Sequence, residues 1–337
     1  MAALVVTALF GLPELLLAPA ADPDPARDRT GYAAGTAITP DTTADTAVTY
    51  QGLAFDICRV PPLAVMRAWR TSSPYGAVGI PYGGRGRDCP GQQHLTRAWV
   101  EKVHRMGWRV LPVFVGSQPP CARDEQPRAA APEAPAGTDR TNGTDRTDRT
   151  AEPSASLPAG RAENPSGERE GNEEEKNKRE VPMGRFPGAQ GEREGSEAVA
   201  RARALGMIRG SALYVSLKSY ALSDPSCART TLDFIRAWNR EVRRLGYVPG
   251  LRSDADAGVL HMERARREGT GDLPSALWFA RWNGRPSLLD EEAVHPYAWR
   301  VKRRIHQYEG EAREEYGGHA LTVGRNLVDA PVARFRP

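Results

Sequence analysis

The sequence predicts an α/β chain folded as one (β/α)8-type, TIM-like barrel that carries a long insertion. Strand-like and helix-like stretches alternate along it, at lengths that make βαβ units and a parallel sheet. About eight strand candidates follow one another in this order, which favours a closed barrel over an open doubly wound sheet. No GxGxxG follows the first strand, so the usual sign of a dinucleotide fold is missing. GGRGR at 83–87 lacks the Lys-Ser/Thr of a phosphate loop and reads as a turn.

The elements justify themselves in order. GLAFDI (52–57) is a strand, PLAVMRAWR (62–70) a helix, GAVGIPY (76–82) a strand and HLTRAWVEKVHRMG (94–107) a helix, followed by the strand RVLPVFVG (109–116). Residues 122–189 then turn rich in Pro, Gly and charge (TDRTNGTDRTDRT, PSGEREGNEEEKNKRE), with almost no large apolar side chains. Such a segment buries too little surface to offset its ordering entropy, and it reads as an insertion looping out of one domain. A linker between two domains is the alternative, disfavoured because three preceding strands are too few to close a core. Order is expected again at Gly191, with the helix GEREGSEAVARARALG, the strand SALYVSL (211–217), the helix TTLDFIRAWNREVRRLG and the strand YVPGL (247–251). The helix AGVLHMERARREG, then LWFARWNG, RIHQYEG and GHALTVGRNLVDAP complete the set.

The ends of the chain and its charge limit function. The apolar run near Met1, followed by Ala18-Pro19-Ala20, predicts a signal peptide over 1–21, then a flexible lead-in over 22–49 and the barrel domain over 50–332. A disordered apolar tail is the plainer alternative, and the run is too short and interrupted for a stable membrane span. The expected location is therefore secreted or in the cell envelope. A formal charge of +4 with no concentrated basic face does not point to nucleic acid. Cys58, Cys89, Cys121 and Cys227 are even in number, form no CxxC and have no His cluster beside them. They read as two disulfides, in any of three connectivities, rather than as metal ligands. No metal or cofactor is expected, and the oligomeric state stays open.

In a barrel the site lies at the C-terminal ends of the strands. Those ends hold Asp56, Tyr82, Gln118, Ser216 with Lys218, Arg252 with Ser253, Trp282, Gln307 and Asp329. Aromatic side chains there stack on sugar rings and amides bond hydroxyls; for Trp278 and Trp282 core packing is the competing reading. On the strand SALYVSL, Tyr214, Ser216 and Lys218 share one face, and positions 216 and 218 lie about 6.5–7 Å apart, a spacing that suits paired carboxylates.

FDIC (55–58), SPYGAVGIPYGG (73–84), LTRAWV (95–100), GWRVLPVFVGSQPPC (107–121), WFARWN (278–283), and Gln307-Tyr308 followed by Val328-Asp329 together resemble the actinobacterial secreted glycoside-hydrolase-like domain family. That family was formerly a domain of unknown function, and its barrel is distantly similar to lysozyme-type muramidases. The resemblance spans residues 50–332 outside the insertion. It implies the barrel, a glycan such as peptidoglycan or another polysaccharide as partner, and disulfides at all four cysteines. It also implies site roles for Asp56, Tyr82, Trp278, Trp282, Gln307 and Asp329.

One departure matters. Where the family carries IYFDMEAY this chain has LYVSLKSY, so Ser216 stands in place of the family Asp and Lys218 in place of the Glu. Glycoside cleavage normally needs two carboxyl groups flanking the bond. Ser216 cannot supply one, and a Lys218 cation near Asp56 would hold that carboxylate ionised and make it a poor general acid. The expectation is a pseudo-glycosidase that keeps a glycan cleft. The alternatives are an active glycosidase using Asp56 with a displaced acid (Asp329, Asp254 or Glu309), or Schiff-base chemistry at Lys218.

Overall fold

The computed structural model describes residues 47–123 and 182–336. The expected signal peptide at 1–21 and most of the lead-in (22–49) and insertion (122–189) lie outside the described residues. The described edges of the insertion are ordered. Ala122–Arg123 pairs with Ser219–Tyr220 as a small antiparallel ribbon, Gln118 bridges Pro182, and a helix starts at Pro187 rather than Gly191.

Eight strands close the barrel: β1 (Thr49–Asp56), β2 (Ala77–Gly83), β3 (Arg109–Phe114), β5 (Ala212–Ser216), β7 (Val248–Asp254), β8 (Ala276–Ala280), β9 (Arg304–Tyr316) and β10 (His319–Pro331). The ribbon strands at 122–123 and 219–220 are β4 and β6. The helices are α1 (Leu63–Ser72), α2 (Arg97–Arg105), α3 (Pro187–Ala204), α4 (Pro225–Arg244) and α5 (Leu260–Arg267). Their starts follow local chemistry. The Thr96 hydroxyl accepts from Trp99 N at the head of α2, and the Asp224 carboxylate accepts from Ser226 N and Cys227 N ahead of Pro225 in α4.

Strand alternation sorts the core into two layers. Ala54, Ala77, Leu111, Ala212, Tyr214, Ala276, Trp278, Ile305 and Val328 fill the barrel interior. Phe55, Val78, Ile80, Tyr82, Leu213, Val215, Leu251 and Phe279 face the helices. Tyr214 and Trp278 meet edge-on at 5.7 Å and plug the barrel centre.

The eighth strand departs from the (β/α)8 pattern. β1 through β9 run parallel around the barrel, but β10 returns antiparallel between β9 and β1. Its cause is local. Gly317 and Gly318 have φ of +58° and +75°, the paired left-handed conformation of a tight hairpin turn. Register shifts around Arg325 bend this ribbon, and its tip lies on α1, where Trp69 Nε1 donates to His319 O at 2.9 Å. Buried Glu314 accepts from the Tyr75 hydroxyl at 2.8 Å and from Arg325 Nε, pinning the ribbon from both sides.

Both disulfides are formed, Cys58–Cys89 and Cys121–Cys227. Among the described residues no helix is long and apolar enough to cross a membrane.

Candidate functional site

Asp56 ends β1 on the interior face, in register with Gly79 on one side and Gly324 on the other. Side chains at those glycines would invade its place. A Cβ on Gly79 would lie 2.6 Å from Asp56 Cβ, and one on Gly324 would overlap Asp56 Oδ1 and Gln307 Nε2. Donors from three other strands converge on the carboxylate. Gln307 Nε2 and Asn326 Nδ2 donate to Oδ1 at 2.7 and 2.8 Å, and Arg252 pairs with Oδ2 at 3.3 Å. The Asp56 and Arg252 side chains are 19% and 26% exposed, so this pair opens toward solvent at the mouth.

Arg252 links the second half of the site. Its guanidinium stands 5.3 Å above the Trp278 ring and reaches the Ser216 hydroxyl at 3.3 Å, while its Nε is buried without a hydrogen-bond partner. Gln118, buried in the segment that follows β3, donates to Ser216 O at 3.2 Å and accepts from Lys218 N at 2.8 Å. That amide fixes the path of the chain through the two positions where the resemblance expects acids. Lys218 itself is half-buried.

Trp282 follows β8. Its indole N–H donates to Gln307 Oε1 at 3.1 Å, and its ring lies against Gly310, where any side chain would displace it. A polar chain therefore runs from Trp282 through Gln307 to Asp56, Asn326 and Trp278, whose Nε1 donates to Asn326 Oδ1 at 2.8 Å.

The loop from 281 to 303 that carries Trp282 is built on buried cations and rings. Arg304 Nε, Nη1 and Nη2 donate to the carbonyls of Ala298, Leu288 and His295. His306 lies within 2.7 Å of Ser287 O and 2.9 Å of Arg281 O and stacks on Phe279. Burial is the largest influence on its imidazole and lowers its pKa below the ordinary value.

Four residues expected at the site stand in other roles. Tyr82 faces outward between barrel and α3; its hydroxyl donates to Ala198 O at 3.1 Å, and burial pushes its phenol pKa well up. Trp278 is fully buried in the barrel interior. Asp329 lies at the far end of the barrel, opposite Gln51 and Arg304, where its carboxylate accepts from Lys302 N. Five residues separate it from Gly324, the partner of Asp56, or about 16 Å of strand. Because β10 runs antiparallel, the mouth receives Asn326 and not Asp329. Glu309 is engaged by Arg325 at 2.8 Å. Asp254 shares the interior face of β7 with Arg252, one step farther toward the mouth.

A family model described as Rv2525c-like, glycoside hydrolase-like domain matches residues 67–328, a span that begins after Asp56. Among solved structures, the Tat-secreted protein Rv2525c of Mycobacterium tuberculosis, in complex with L-tartrate, is 12% identical, with a TM-score of 0.45 over 84% of this chain and 99% of that one. The catalytic domain of endolysin ply40 from bacteriophage P40 of Listeria monocytogenes is 12% identical, with a TM-score of 0.40 over 83% and 93%. The modular autolysin LytC of Streptococcus pneumoniae, in complex with a synthetic peptidoglycan ligand, is 9% identical, with a TM-score of 0.41 over 82% of this chain and 46% of that one. No curated protein matches the sequence.

Proposed function

We propose that this chain, which belongs to the Rv2525c-like, glycoside hydrolase-like domain family, is an exported glycan-binding protein that has given up hydrolysis. The observation that carries this reading is the state of Asp56. Its Oδ1 accepts from two amides and its Oδ2 faces a guanidinium, three donors that suit an accepting carboxylate rather than a proton donor. Elsewhere around the barrel, β5 ends in Ser216, and Lys218 follows just beyond it, where a second carboxyl would be needed. What remains suits recognition. Trp282 supplies a half-exposed ring for a sugar face, and the partly exposed Asp56 and Arg252 supply an acceptor and a donor for hydroxyls. The two disulfides fit an oxidising location outside the cytoplasm.

The test is sedimentation with purified peptidoglycan and a panel of soluble polysaccharides, paired with an assay for new reducing ends. Binding that weakens at least tenfold in Trp282→Ala, with no reducing ends released, is the expected result. No binding to any glycan overturns the reading. One observation favours an active alternative: strand alternation puts Asp254 on the same face as Arg252. Reducing ends released by the wild type and lost in both Asp56→Asn and Asp254→Asn would establish that version instead.

A further inference from the structure

The barrel base carries a knob that the glycan site does not use. Between His295 and Arg303 the chain reads HPYAWRVKR, with Arg300, Lys302 and Arg303 and no acid. Tyr297 is 75% exposed and Val301 66%, two of the five large apolar side chains that stand out from the described surface. The Arg300 guanidinium lies 5.4 Å from the Tyr297 ring centre. Apolar tips and cations thus alternate over one short stretch.

The stretch is held firmly. Trp299 and Lys302 adopt left-handed backbone, with φ of +46° and +55°, which non-glycine residues keep only when their surroundings impose it. Here the surroundings do so. Trp299 Nε1 donates to Pro274 O at 2.7 Å, and Asp329 accepts from Lys302 N at 3.1 Å. The fully buried Arg304 guanidinium takes the carbonyls of His295 and Ala298. A buried cation, a partly buried indole and a carboxylate hold a turn on which Tyr297, Arg300, Val301 and Lys302 are exposed.

We infer that this knob is an interfacial anchor for a bilayer surface bearing anionic headgroups. Tyr297 and Val301 enter the boundary between headgroups and acyl chains, while Arg300 and Lys302 meet the phosphates. Rigid presentation limits the conformational freedom lost on docking. The apolar tips separate a bilayer from an anionic polymer, which would engage the cations alone. Asp329 then serves as a positioning residue for Lys302 rather than as a glycan ligand.

The experiment is flotation of the full chain with vesicles of phosphatidylcholine alone, or of phosphatidylcholine mixed with phosphatidylglycerol. Binding is expected only to the anionic vesicles. It should drop about 30-fold in Arg300→Gln/Lys302→Gln, since each cation near such a surface is worth about fivefold. A further loss is expected in Tyr297→Ser/Val301→Ser. All four side chains are exposed, so thermal melts of the variants should match the parent and exclude misfolding as the cause. No binding to anionic vesicles, equal binding to both vesicle types, or binding unmoved by either double variant overturns the inference. Capture by soluble polyphosphate without vesicle binding also overturns it.

Discussion

The two disulfides should contribute unequally to stability, and the inequality can be worked from chain length. Cys58–Cys89 closes 31 residues and Cys121–Cys227 closes 106. In the chain-entropy account, removing a crosslink returns loop freedom to the unfolded chain, costing about 3.7 kcal/mol for the short loop and about 4.8 kcal/mol for the long one. Packing widens the gap. Cys227 is 2% exposed beside Tyr220 and Ala257, whereas Cys58 lies at the surface. Truncating the first leaves a small void, and truncating the second leaves none. Cys121→Ala/Cys227→Ala should therefore cost at least about 1 kcal/mol more than Cys58→Ala/Cys89→Ala. Guanidinium unfolding, followed by tryptophan fluorescence and far-ultraviolet dichroism with linear extrapolation, measures both. A second arm isolates the loop itself. Deleting residues 124–181 roughly halves the long loop, which is worth about 0.6 kcal/mol. That gain should be seen in the variant lacking Cys121–Cys227 and be absent when the disulfide is present. A larger loss for the short loop, or a deletion effect independent of the disulfide, would overturn the loop-entropy account.

Three further outcomes follow from the same contacts. His261 is buried against the Tyr220 hydroxyl, 2.9 Å from its Nδ1, and burial lowers its pKa from the ordinary 6.5 to about 4. The unfolded chain therefore takes up a proton that the native site refuses. Stability is full above pH 6.5 and falls by at most about 3 kcal/mol as pH drops toward 4, and His261→Asn should flatten this acid slope in urea midpoints measured against pH. Gly324→Ala puts a methyl group onto the hydrogen bond between Asp56 and Gln307, so glycan affinity in calorimetry should fall roughly tenfold or more. Arg304→Met leaves the carbonyls of Leu288, His295 and Ala298 without their donor. It should cost about 3 kcal/mol in denaturant unfolding and expose the 281–303 loop to limited proteolysis.

Much of the barrel was legible because strand alternation and helix length are local properties. Leu213 and Val215 against Tyr214 and Ser216 gave both the strand and its interior face, and the structure keeps that division. Reading strand ends without their parity misplaced Tyr82. It shares a face with Val78 and Ile80, which pack outward, so its position near a strand end did not bring it to the mouth. The same parity, applied to Ala276 and Trp278, put the indole inside the barrel. Arg252 could be seen at a strand end, but its pairing with Asp56 joins residues 196 apart in sequence, a contact that no local pattern carries.

The direction of the last strand decides what chemistry reaches Asp56. A parallel eighth strand would have delivered its C-terminal end, with Asp329, to the mouth. The Gly317-Gly318 turn reverses it, and two glycines after EEY were the available signal. Reversal carries the acid to the base, where it fixes Lys302, and brings Asn326 to the mouth as a donor. An amide that donates to Asp56 and accepts from Trp278 cannot also be a proton source for a glycosidic oxygen. On the facing side the cation Arg252 occupies the carboxylate's other oxygen. The topology thus surrounds Asp56 with groups that orient a carboxylate, and β10, whose one acid is Asp329 at the base, brings none to join it.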